Sequence, residues 1–124
     1  MKKVTFTISI ILIIVFIFSY LYNNFFIRKS LVGKYANTNF NYPPVIAEVP
    51  YEPDTLILYT NNTFESAFLG NGTYKISYYI NGTKIDLTQD RSGTSFNTSI
   101  SRLYFGKTKI ILVKDLNHYY EKIN

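Results

Sequence analysis

Hydrophobic positions fall into two regimes along this chain. From Val4 to Tyr22 they are nearly continuous: VTFTISIILIIVFIFSYLY carries no charge, and only Thr and Ser interrupt it. Nineteen residues at about 1.5 Å each cross most of the ~30 Å hydrocarbon core of a bilayer. The pattern predicts one transmembrane helix over residues 4–22, with Phe25, Phe26 and Ile27 able to extend it. Tyr20 and Tyr22 suit the boundary, where an amphipathic ring keeps one end wet. The rival is a cleaved signal peptide, whose apolar core runs about 7–15 residues and ends on small residues. Here SYLYNNFFIRKS follows the core with large side chains, so a retained signal-anchor is expected. A buried soluble helix is disfavoured, because a domain this small can hardly surround a helix that is apolar on every face.

After residue 30 the pattern becomes alternation. Tyr74, Ile76, Tyr78 and Ile80 share one face, opposite Thr73, Lys75 and Ser77. Ile85 and Leu87 alternate with Lys84, Asp86 and Thr88. Period two marks half-buried strands. Strands are predicted at Leu31–Ala36, 55–60, 63–69, 73–80, 83–89, 95–105, 108–113 and 119–123. The turns between them fall at Asn61-Asn62, Gly70-Asn71-Gly72, Asn81-Gly82, Asp90–Thr94 and Gly106-Lys107. Asn-Gly between β-rich runs is the strongest short hairpin signal, since a type I′ turn needs positive φ at both central residues.

All four prolines lie between positions 43 and 53. Proline removes a ladder donor, so Asn37–Asp54 reads as a long semi-rigid loop with extended pieces such as Val45–Val49. Such a loop is either functional, as a lid is, or a plain connection around the end of a barrel. About eight short strands with short turns suggest an antiparallel meander, closed as a barrel or folded as a sandwich. Closure would also remove exposed edges.

Gly33-Lys34-Tyr35, the extended loop and the NNTF and NGTY hairpins together resemble small bacterial lipocalin-like domains. The closing run DLNHYYEKI resembles uncharacterised small membrane-anchored bacterial proteins of the same layout. The resemblance spans residues 31–124. It implies a mainly β fold: a single N-terminal transmembrane helix, then a small lipocalin-like antiparallel meander barrel of about eight strands.

Composition sharpens the division into an anchor, residues 1–29, and a β domain, residues 30–124. The first part carries Lys2, Lys3, Arg28 and Lys29 and no acid; the second carries nine basic and eight acidic residues, a net of +1. A nucleic-acid binder needs a basic footprint on its folded domain, so nucleic acid is not an expected partner. Basic residues nearly balance across the helix. A short N-terminal tail before a long apolar run is the usual signal-anchor layout, which puts the β domain on the extracytoplasmic side. The chain has no cysteine, which excludes disulfides, thiolate metal sites, cysteine nucleophiles and acylated cysteine.

Candidate chemistry is sparse. His118 is the only histidine, with Asp115 and Glu121 three residues to either side. One imidazole without thiolates or H-E-x-x-H spacing reads as a surface residue in a polar turn, and neither metal nor other cofactor is expected. A serine nucleophile would lack a G-x-S-x-G elbow. Gly70-Asn71-Gly72 has no following helix to bind a phosphate. Asn-x-Thr/Ser triplets begin at Asn61, Asn71, Asn81 and Asn97, and with twelve asparagines in the chain they read as turn chemistry. No catalytic residue is assigned.

Arg102 is the most informative charge. On strict alternation it shares a face with Phe96, Ile100 and Tyr104. If that face points into a barrel, Arg102 beside Tyr74, Tyr78 and Tyr104 would bind a carboxylate or phosphate. The alternative is a bulge that turns Arg102 outward and Leu103 and Phe105 inward. Two function classes follow. One is a non-enzymatic, membrane-anchored domain for protein interaction or envelope structure, with its small interior filled by its own aromatics. The other is lipocalin-like binding or sensing of an apolar or amphipathic molecule. A cavity lined by the four named residues would favour the second.

Overall fold

The computed structural model describes residues 1–37, 52–102, 105–113 and 118–123. Helix α1 (Lys2–Asn24) has 23 residues and buries none of them against protein. It is long and apolar enough to cross a membrane. Its polar interruptions are silenced locally. Thr5, Thr7 and Ser9 each donate their hydroxyl to the carbonyl four residues back, at 3.1, 2.9 and 3.0 Å. Each of these three hydroxyl protons thereby has a partner within the helix itself. The helix stops where Phe25 turns extended, and Phe25 N still donates to Leu21 O at 2.9 Å.

A single helical turn, α2 (Arg28–Leu31), leads into eight strands. These are β1 (Gly33–Asn37), β2 (Thr55–Leu58), β3 (Thr63–Ser66), β4 (Gly70–Tyr79), β5 (Gly82–Gln89), β6 (Ser95–Arg102), β7 (Thr108–Val113) and β8 (His118–Lys122). All neighbours pair antiparallel in chain order, and β8 returns to β1 through Tyr35–Lys122 and Asn37–Tyr120, closing the barrel. The expected meander barrel is therefore the fold. Its inner face follows the period-two pattern: Tyr74 faces Leu87, Ile76 faces Ile85, and Ile100 faces Ile110. Among the described residues one bulge interrupts the ladder, between Ile111 and Val113 opposite β8. Phe26 and Leu31 join the barrel's core, so the chain just after α1 is also the plug of one barrel end.

Several boundaries differ from the sequence expectation. Leu31 belongs to α2, and β1 starts at Gly33. Strand β3 ends at Ser66, and the turn falls on residues 67–69. Gly70, Asn71 and Gly72, expected as the turn, begin β4. The reason is steric: Gly72 sits opposite Phe64, and a Cβ there would lie 1.9 Å from Thr88 O and 2.9 Å from the Phe64 ring. Glycine is used here for close approach of backbone and ring. The β4–β5 turn is Ile80-Asn81, with Tyr79 opposite Gly82. Shifting this register by two residues would keep the same inward face, so alternation cannot choose between the two. Contacts from the end of α1 to Ile80 and Thr83 hold the observed one. The proline-rich loop from 38 to 51 lies outside the described residues.

Candidate functional site

The barrel interior is filled. Tyr35, Tyr120 and Phe64 occupy it with Leu56, Leu58, Ile85, Leu87 and Ile110, all essentially without solvent contact. No buried side-chain polar atom among the described residues lacks a hydrogen-bond partner. Burial holds the Tyr35 phenol far above its usual range, reinforced by Tyr74 and only partly opposed by Arg102.

The two ends of the barrel are built differently. At the junction with α1, five main-chain carbonyls between residues 22 and 31 each accept a hydrogen bond from a barrel side chain. Arg102 Nη1 donates to Tyr22 O at 3.2 Å and Thr83 Oγ1 to Asn24 O at 2.9 Å. The Tyr78 hydroxyl donates to Phe26 O, Lys122 Nζ to Ser30 O at 2.6 Å, and the Tyr35 hydroxyl to Leu31 O at 2.6 Å. The last carbonyls of a helix have no intrahelical partner and carry partial negative charge. No basic residue stands in the last turn of α1 itself. Arg102 supplies the cation from 80 residues away, with its guanidinium 4.1 Å from the Tyr22 ring centre and 4.9 Å from that of Phe26. Burial lowers the Lys122 ammonium below its ordinary range, and Arg102 adds to this.

The junction takes up two of the four residues singled out from sequence, Arg102 and Tyr78. Strand β6 pairs without a bulge through Arg102, which faces Thr108. The bulge that would turn Arg102 outward is absent; the residue keeps the inward face, but at the barrel's end. Tyr78 is 55 % exposed, with its hydroxyl on Phe26 O. Tyr74 is buried and donates to Tyr59 O at 2.6 Å; burial also raises its pKa. Tyr104 lies outside the described residues. Tyr74 and Tyr78 do come together with Arg28, Lys75, Asn62 and Ile76 around an open recess of about 310 Å³.

At the opposite end a polar clip closes the barrel. The Asp54 carboxylate accepts from the Ser66 hydroxyl at 2.6 Å, from Ala67 N at 3.1 Å and from the Tyr120 hydroxyl. Asn37 Oδ1 accepts from Asp54 N at 2.7 Å, and Asn37 N donates back to Asp54 O at 3.1 Å. Burial and the Asp54 carboxylate both push the Tyr120 phenol far upward. This cluster escapes sequence reading because its members sit 12 to 66 residues apart with no motif spacing. The only local hint is Asp54 standing between Pro53 and the first regular strand.

His118, expected in a surface turn, instead opens β8 on its inward face and is buried. The bulge at Val113 is what admits it to the ladder. Among the described residues no group of His, Asp and Glu is placed to hold a metal ion. A second recess of about 520 Å³ opens at this end, lined by Phe68, Phe96, Leu112 and Val113 with polar Gln89 and Asn97. No protein-family model, curated protein or solved structure matches the chain.

Proposed function

We propose that this chain is a membrane-anchored, non-catalytic β-barrel that acts in protein interaction or in the structure of the cell envelope. The filled interior carries this reading. The aromatic side chains that a ligand-binding barrel would arrange around a cavity are here packed as core. The partner face would be the end opposite α1, where Phe68, Phe96 and Leu112 are half-buried around the 520 Å³ recess. A photo-crosslinking residue at Phe68 should give one discrete adduct in the native membrane, lost on Phe96→Asp. Co-purification of a stoichiometric small molecule, with no such adduct, would overturn the reading.

In this reading α1 is a retained signal-anchor, and the barrel lies on the extracytoplasmic side. The absence of native cysteine makes the side testable. Arg91→Cys in intact cells should react with an impermeant maleimide; protection until lysis would reverse the orientation.

A second reading, lipocalin-like binding or sensing of an amphipathic molecule, is favoured by one observation. The recess beside Tyr74 and Tyr78 combines two phenols with the cations Arg28 and Lys75, a set suited to a carboxylate or phosphate head. Binding of a fatty-acid panel by wild type and Arg28→Ala would test it. An unchanged profile would remove it.

A further inference from the structure

The junction end of the barrel is unlike the rest of its surface. The β4–β5 hairpin tip presents Tyr79 and Ile80, and Ile80 is 94 % exposed. The connection between β6 and β7 presents Phe105, 61 % exposed. Both tips are fastened to the end of α1. Tyr20 donates its hydroxyl to Ile80 O at 2.9 Å, and Phe105 N donates to Asn23 Oδ1 at 3.1 Å. The Phe105 ring lies 5.3 Å from that of Tyr22.

These attachments set depth. If the apolar run Val4–Tyr22 fills the hydrocarbon core, Tyr20 and Tyr22 stand at its boundary. Ile80 and Phe105 then stand at that boundary too, because they are bonded to that turn of the helix. An isoleucine that is almost fully bare in water is well solvated there.

Charge points the same way. Around the junction the described residues include Arg28, Lys29, Lys84, Lys107 and Lys122, against two acids: Glu121, which pairs with Lys107 at 3.7 Å, and Glu65, which accepts from the Tyr59 hydroxyl at 2.9 Å. Lys84 lies over the Tyr79 ring, 4.9 Å from its centre. Of the other described acids, Glu52, Asp54 and Asp90 sit toward the opposite end, where Arg91 is the cation, and Asp86 lies mid-strand opposite Lys75. The β domain is nearly neutral in sum but polarised in space. Basic groups flanking apolar and aromatic tips match an anionic lipid surface.

We propose that the barrel does not hang from a flexible tether but docks on the bilayer, inserting Tyr79, Ile80 and Phe105 beside α1 and presenting its basic residues to anionic headgroups. This rests on the reading of α1 as a membrane-crossing helix.

The test uses the full chain in nanodiscs, with single cysteines carrying an environment-sensitive fluorophore at Ile80, Phe105, Ile13 or Arg91. Quenching by spin-labelled lipids reports depth. Docking requires that shallow labels quench positions 80 and 105 strongly, that deep labels quench position 13, and that position 91 stays unquenched. Quenching at 13 without quenching at 80 and 105 overturns docking and leaves the anchor intact. No quenching at 13 overturns the anchor, and docking with it. Spin-labelled phosphatidylglycerol should quench position 105 roughly twofold or more above phosphatidylcholine at equal mole fraction, an excess that Lys84→Glu with Lys107→Glu abolishes. Equal quenching by the two lipids in the unmutated background overturns the anionic preference.

Discussion

The guanidinium of Arg102 stacks 4.1 Å from the centre of the Tyr22 ring and donates to the carbonyl of that same residue. One side chain therefore caps the end of α1 and closes a strand of the barrel. Helix and barrel are joined by side-chain contacts as well as by the chain.

Removing that contact should loosen the junction. Arg102→Ala is expected to cost about 2 kcal/mol, combining a partly desolvated cation–π contact with a charged hydrogen bond. Arg102→Lys should recover less than half, because an ammonium cannot stack as a planar guanidinium does. Chemical unfolding in micelles measures the first, and faster amide exchange at residues 25–31 localises it.

The Asp54 clip should behave as a unit. Asp54→Ala strands Ser66, Ala67 N and Tyr120 together and is expected to cost about 3 kcal/mol. Tyr120→Phe should cost roughly 1–2 kcal/mol. In a double-mutant cycle the two losses should fall short of additive, since Tyr120 has already lost its acceptor in Asp54→Ala. Strict additivity would show that the hydrogen bond contributes nothing.

Two glycines separate packing from backbone conformation. A methyl at Gly72 would meet Thr88 O at 1.9 Å. Gly72→Ala must therefore displace β4 from β5, at about 3 kcal/mol or more. At Gly93 a Cβ meets nothing within 4 Å, but φ is +67°. Gly93→Ala should cost only about 1 kcal/mol. Equal losses at the two sites would contradict the register.

The buried phenols predict an alkaline limit. Tyr35 and Tyr120 have pKa values raised above the ordinary 10.0 by burial, and for Tyr120 also by Asp54. The unfolded chain therefore loses those protons first. Their contribution is fully present below pH about 10 and declines as pH rises further. Tyr120→Phe should flatten this decline in a pH series of unfolding midpoints, while being less stable than wild type near neutral pH.

Legibility tracked how local each determinant was. Thr108–Val113 is a strand with the expected bounds, and Asp90–Thr94 holds the expected turn, because alternation and turn residues act over a few positions. Gly70-Gly72 read as a turn because glycine supplies positive φ, yet Gly72 serves a ring that only pairing with β3 brings opposite. Alternation admits an inward Arg102 without excluding an outward one, and its partners Tyr22 and Phe26 belong to the segment that composition assigns to the anchor. Asp54 stands in no motif, because its two nearest hydroxyl donors lie on β3 and β8.

By itself the sequence determined a continuous apolar helix, a period-two inner face and about eight strands joined by short turns. Each of these follows from side-chain periodicity and backbone preference within a dozen residues. Only the tertiary structure decided that the interior is filled, that Asp54 clips one end, and that Phe26 and Arg102 seal the other. It also decided that Lys84, Arg102, Lys107 and Lys122 share the rim beside the helix. Those outcomes depend on closure of β8 onto β1 and on which strand ends share a rim, and no local pattern encodes either.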